Sequence, residues 1–186
     1  LFVTFFSINH NYESHTFHND LIQEKEIRFS NLRQLTFSGE NAEAYFSSDG
    51  KKLIFQSHDG DSLCDQIYIM NIETGSTNMV STGDGVTTCS YFVYPDCQKA
   101  IYASTHMGNK KCPEKPDYSM GYVWKLYPDY DIFLTDLQTK SLEQLTSSPG
   151  YDAEATVAFN GSKVVYTSMV SGDLDIWTMD LDGKNK

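Results

Sequence analysis

The sequence predicts an all-β fold made of a repeated four-stranded unit, and three observations carry that prediction. One phrase occurs three times. It reads AYFSSDGKKLIFQS at Ala44–Ser57 and continues over Gln66–Thr82; SYFVYPDCQKAIYAST at Ser90–Thr105 continues over Asp131–Ser147; TVAFNGSKVVYTS at Thr156–Ser168 continues over Asp175–Lys186. Its spacing is regular. Asp49, Asp96 and Asn160 hold one turn position, and Ile67, Ile132 and Ile176 open one later strand. The unit is therefore about 45 residues, with about 20 more inserted once between Thr105 and Tyr130. Finally, the apolar runs are short and rich in β-branched and aromatic residues, and no amphipathic helix competes with them.

Each element follows in order. Leu53-Ile54-Phe55, Ala100-Ile101-Tyr102 and Val164-Val165-Tyr166 read as second strands, and Ile67-Tyr68-Ile69-Met70 as a third. Ser48-Asp49-Gly50-Lys51 and Phe159-Asn160-Gly161-Ser162 place Asp-Gly or Asn-Gly between strands, which predicts tight hairpins with left-handed φ at the central residues. Glu73-Thr74-Gly75 and Asp182-Gly183 punctuate the unit again. Four antiparallel strands joined by two short hairpins describe a β-propeller blade, which must stack on a neighbour to bury its faces. The expected organisation is a leader over 1–30 and a partial propeller over 31–186. Blade one covers about 37–82, blade two about 83–147 with the insertion at 106–130, and blade three about 148–186 without its last strand. About three blades cannot close a ring of four to eight, so the ring is expected to be incomplete and the chain to be part of a longer protein.

The phrases Gln34-Leu35-Thr36, Ala44 to Phe55 and Ile67-Tyr68-Ile69-Met70-Asn71 resemble the propeller repeat of TolB-like proteins, as do Gln144-Leu145-Thr146 and Asp175 to Gly183. The resemblance covers about Asn31 to Lys186. Ser48 stands where that repeat has Pro, Cys97 replaces the turn Gly, and Phe159-Asn160 replaces Pro-Asp. The resemblance implies that Asn31–Thr36 is an outer strand completing the last blade. It also implies a non-enzymatic periplasmic or extracellular scaffold that binds a protein partner, with a part in envelope integrity or macromolecule translocation. The alternative is the propeller portion of a secreted prolyl-oligopeptidase-like serine hydrolase, whose catalytic domain would lie beyond Lys186. No Gly-x-Ser-x-Gly elbow, His-Glu-x-x-His or phosphate-cradling loop occurs in the sequence.

Composition narrows the partners. Fourteen basic against 25 acidic residues leave a formal charge of −11, without a Lys/Arg cluster able to track a phosphate backbone, so nucleic acid is not an expected partner. No apolar run reaches the eighteen or more residues of a membrane span, so a spanning segment is not expected, and association with the cell envelope is what the TolB-like resemblance implies. Leu1–Phe6 reads as the end of a signal peptide's apolar stretch or as a short leader. His10, His15 and His18, with Glu13 and Asp20, form a loose metal-type cluster among residues typical of a flexible segment.

Strand order assigns side chains to the two ends of the blades. The short Asp-Gly turns lie at one end; at the other lie Glu40, His58, Asp59, Asp65, Asp84, His106, Asp152 and the whole insertion. Glu43 and Glu154, each within Ala-Glu-Ala before the innermost strand, are candidates to point into the channel mouth and hold a cation such as calcium. His58 and His106 end equivalent strands and are further cation candidates. No other cofactor is expected. Tyr118, Tyr122, Trp124, Tyr127 and Tyr130 make the insertion the stretch richest in interface-type residues, and they are the candidate partner contacts. Four cysteines allow three complete pairings. In an oxidising compartment one bridge among Cys64, Cys89 and Cys112 is expected, with Cys97 free on the opposite end.

Overall fold

A computed structural model describes residues 22–59, 64–114, 116–121 and 123–186, in two units that meet at Phe37/Ser38. In the first unit, residues 22–37 contain a turn in which the Glu26 amide donates to the Gln23 carbonyl (2.9 Å), and no strand. The outer strand expected at Asn31–Thr36 is therefore not formed. A strand exists only through ladder pairing, whereas here the Gln34 side chain bonds the Thr36 carbonyl locally (2.7 Å) and Asn31 takes a left-handed φ of 55°. The leader's histidines, Glu13 and Asp20 lie outside the described residues.

The second unit, Ser38–Lys186, is three antiparallel sheets in chain order. The first holds β1 (Glu40–Phe46), β2 (Lys52–His58), β3 (Gln66–Asn71) and β4 (Thr77–Met79). In the second are β5 (Thr87–Phe92), β6 (Lys99–Ser104), β7 (Asp131–Asp136) and β8 (Leu142–Gln144). The third has β9 (Asp152–Val157), β10 (Lys163–Ser168) and β11 (Asp175–Asp180), and the ring does not close. There is no helix among the described residues.

Burial follows from the stacking. Ala100 and Tyr102 of β6 pack with Ile54 and Ile67 of the first sheet, while Ile101 between them packs with Val164, Tyr166 and Met179 of the third. Alternate side chains thus enter opposite cores, as the two-residue period of a strand requires. Residues 100–104 of β6 are consequently all buried, whereas β10 alternates because only one of its faces is covered. A third cluster, Ala103, Tyr130, Tyr151 and Ala153, fixes the end where the insertion joins β7.

The hairpins between first and second strands differ from the expectation of two left-handed residues each. One residue per turn has positive φ: Gly50 (67°), Cys97 (53°) and Gly161 (72°). The preceding Asp or Asn supplies the rest of the turn as a side-chain cap. Asp49 Oδ1 accepts the Lys51 amide (3.1 Å), Asp96 Oδ1 the Gln98 amide (3.0 Å) and Asn160 Oδ1 the Ser162 amide (3.1 Å). The site of Gly50 is open, so conformation alone favours glycine there; at Gly161 an added Cβ would lie 2.5 Å from the Tyr94 carbonyl oxygen. Ser48 of the first turn reaches the second, donating through its hydroxyl to the Pro95 carbonyl at 2.6 Å.

Candidate functional site

Each innermost strand carries a β-bulge at the same height. Pairing slips between Ala42 and Tyr45 in β1, between Thr88 and Tyr91 in β5, and opposite Val165/Thr167 in β9. The residue inside each slip has left-handed φ: Glu43 (52°), Cys89 (48°) and Glu154 (58°). A bulge re-aims a side chain that regular pairing would place against a neighbouring sheet. The three residues accordingly line one cavity of about 220 Å³, together with Tyr45, Ser90, Tyr91, Ala155 and Thr156. Glu43 and Glu154 thus lie within β1 and β9 rather than before them, and they share the cavity.

Glu154 is held firmly. Thr167 Oγ1 donates to its Oε2 (2.8 Å) and the Tyr151 hydroxyl to its Oε1 (3.4 Å), while the Trp124 indole N–H donates to that hydroxyl (3.2 Å). A side chain of the insertion is thereby linked to the central cavity. Cys89 is 9% exposed, and burial pushes its thiol up to about 12, opposed by the Thr88 hydroxyl and reinforced to a smaller extent by Glu43 and Glu154. The Ser90 hydroxyl is buried without a hydrogen-bond partner.

A second cavity, a cleft of about 440 Å³, lies at the loop-rich end beneath the insertion. Its roof is fixed by a Cys64–Cys112 disulfide (Cα–Cα 5.5 Å) that ties the segment before β3 to the insertion; Cys89 and Cys97 remain free thiols. Further bonds bring the connecting loops to the same end: the Gly85 amide donates to the Lys110 carbonyl (2.8 Å) and the Thr105 amide to the Val86 carbonyl (3.1 Å). Along one wall, His58 Nδ1 lies 2.5 Å from Asp65 Oδ1 and Nε2 lies 3.7 Å from Glu40 Oε1. Gln56 joins this wall to the second sheet. Its amide donates to Asp65 Oδ2 (3.0 Å), and its oxygen accepts the Thr88 hydroxyl (3.0 Å) and the Cys89 amide (3.1 Å).

Tyr118, Trp124, Tyr127 and Tyr130 all line the cleft. Tyr118 and Trp124 are 48% and 47% exposed, Tyr127 carries the Lys125 ammonium 5.0 Å from its ring centre, and Tyr130 is buried as the floor, edge-on to Tyr151. Tyr122 lies outside the described residues. The two strand-end histidines occupy separate settings. Against the acid wall stands His58, whereas His106 is buried against Phe133 (4.3 Å between ring centres) and bonded to Ser104 Oγ (2.8 Å). Burial lowers the His106 pKa, with Lys110 adding to the effect and Asp84 opposing it. Among the described residues no three His, Cys, Asp or Glu side chains are grouped as a metal centre.

Sequence reasoning missed Cys89 as the third member of the central set, treating it only as a candidate for a disulfide with Cys64 or Cys112. The bulge residue precedes the turn Asp or Asn by six residues in the first and third copies but by seven in the second, where Pro95 lengthens the turn. Counting back from the turn therefore misses Cys89 by one. Alignment on the small or hydroxylated neighbours, Ala-Glu-Ala against Thr-Cys-Ser, was the available signal.

No protein-family profile matches the chain. Solved structures do. TolB from Acinetobacter baumannii superposes with a TM-score of 0.63 at 22% identity over 82% of this chain and 33% of that one. A TolB structure from Agrobacterium tumefaciens gives 0.60 at 22% identity over 81% and 49%. The β-propeller domain of the Trilobed protease from Pyrococcus furiosus gives 0.53 at 13% identity over 80% and 41%. The chain thus spans between a third and a half of the length of these structures. Likeness at this identity speaks for architecture: the chain is a run of β-propeller blades of the kind found in TolB.

Proposed function

We propose that this chain is the blade portion of a non-enzymatic propeller that binds a protein partner at its loop-rich end, through the cleft under the insertion. The observation carrying this reading is the half-exposed pair Tyr118 and Trp124 above a cleft whose roof is tethered by Cys64–Cys112. Amphipathic aromatics on a pre-ordered scaffold bury large area at low conformational cost, which is what an interface anchor needs. The disulfide suits an oxidising compartment and so favours a periplasmic or extracellular location. No helix among the described residues is long and apolar enough to cross a membrane. By its likeness to TolB, the partner would belong to the cell envelope, with a role in envelope integrity or macromolecule translocation.

A photo-crosslinking amino acid placed at Trp124 in cells, with Lys51 in an opposite-end turn as control, tests the reading. A discrete protein adduct at 124, absent at 51 and lost when Tyr118 is changed to Ala, is expected. Equal adducts at both positions, or none at 124, would overturn it. The Trilobed protease likeness keeps the hydrolase reading as the competitor; labelling of the full-length protein by a serine-hydrolase probe would decide for it.

A further inference from the structure

The junction between the second and third sheets differs chemically from the junction between the first and second, although the backbone is the same. At the first junction the Thr87 amide and hydroxyl both donate to the Asp65 carbonyl, at 3.0 and 2.9 Å. Asp152 takes the corresponding place at the second. Its amide donates to the Tyr130 carbonyl (3.0 Å), but an ionised carboxylate has no proton with which to repeat the hydroxyl's bond. The same exchange occurs at the start of the third strand. Gln66 accepts the Ser81 hydroxyl in the first sheet (2.7 Å), while Asp131 accepts the Thr146 hydroxyl in the second (3.3 Å). Two neutral polar groups have become two carboxylates.

Asp152 is 1% exposed, and both of its carboxylate oxygens are buried without a hydrogen-bond partner. The hydroxyls of Ser168, Thr146 and Ser148 lie near enough to favour its charge in part, yet none bonds it with acceptable geometry. Lys186 is the nearby cation, and no ion pair joins the two among the described residues. Asp131 is partly satisfied, its Oδ2 accepting the Gln144 amide at 2.9 Å. Burial raises the pKa of both acids, that of Asp131 to about 6. A buried carboxylate with two open oxygens, a second carboxylate beside it and hydroxyls around it is an all-oxygen donor set, the type that hard divalent cations select.

We propose that this junction is a binding site for a divalent cation of the calcium class, with Asp152 and Asp131 as the carboxylate ligands and the hydroxyls of Thr146, Ser148 and Ser168 around them. The site is independent of the partner cleft and of the central pair Glu43 and Glu154. Tyr130 and Tyr151, next to the ligands in sequence, make terbium a suitable probe, because a bound lanthanide close to an excited tyrosine luminesces.

Terbium added to the chain at pH 7 is expected to give saturable, tyrosine-sensitised luminescence that calcium displaces, and calcium is expected to raise the thermal midpoint. Asp152→Asn, which keeps the side-chain shape, should weaken terbium at least tenfold, with Asp131→Asn weakening it less. Glu43→Gln combined with Glu154→Gln should leave it unchanged. Absence of a saturable signal overturns the site, as does unchanged affinity in Asp152→Asn. If the parent's midpoint ignores calcium while Asp152→Asn raises it, a retained proton rather than a cation neutralises the acid, and the proposal fails. Should Asp152→Asn not fold by far-ultraviolet dichroism, the parent's calcium response together with Asp131→Asn decides.

Discussion

Cys89 and Cys97 are both free thiols, and their surroundings separate them chemically. Cys97 occupies a turn and accepts the Ser48 amide through its sulfur (3.3 Å); Cys89 is buried beside two carboxylates, which disfavour a further negative charge. With a pKa of about 12, roughly one Cys89 in ten thousand is thiolate at pH 8, and the thiolate is the reacting species. An aromatic disulfide reagent at pH 8 should therefore titrate one thiol in the native chain and two after unfolding without reductant. Cys97→Ser should abolish the fast native reaction and Cys89→Ser should leave it; a native reaction that follows Cys89 instead would contradict this environment. Equivalence of position was legible where the copies agree, as at Glu43 and Glu154, which share one cavity. They were hidden where a single extra turn residue shifted the count, as at Cys89.

At the scale of elements, the insertion departs most from the repeat. It forms no strand among its described residues, and its place is set by Cys64–Cys112, Trp124 to Tyr151, and Tyr127 to the Glu114 carbonyl (3.0 Å). A bridge across 48 residues removes loop entropy from the unfolded chain, equivalent to about 4 kcal/mol in the simplest treatment. Cys112→Ser is expected to lower unfolding free energy by about 2–4 kcal/mol in denaturant titration. Limited proteolysis of that variant should cut first within 107–129; cleavage beginning elsewhere at the same rate as the parent would show that the tether does not order the insertion. Sequence left the pairing open, because it depends on which Cα atoms approach across two blades. It also suggested an outer strand at Asn31–Thr36, since an extended pattern looks the same whether or not a ladder partner is present.

Over the whole second unit, packing is uneven. The middle sheet is covered on both sides, whereas β1 is exposed along its length and β11 at Asp175, Ile176 and Thr178, with Phe46 58% and Ile176 82% exposed. Large apolar side chains left in water promote association more than they add to folding. Phe46→Thr with Ile176→Thr should reduce concentration-dependent association in sedimentation velocity while changing unfolding free energy by no more than about 0.5 kcal/mol each. A marked loss of stability with association unchanged would count against that assignment. The architecture was readable because a 45-residue period survives divergence of individual turns; the identity of the side chains meeting across blades was not, because proximity between repeats leaves no local trace.

The left-handed bulges at Glu43, Cys89 and Glu154 have a consequence for how such a protein can diversify. Because the extra residue stands outside the ladder, strand register and the two apolar cores do not depend on its chemistry. Each blade therefore offers an interchangeable slot at the axis. A lineage could rewrite the inner lining one blade at a time, acid for thiol or thiol for acid, while every neighbouring strand stays in place.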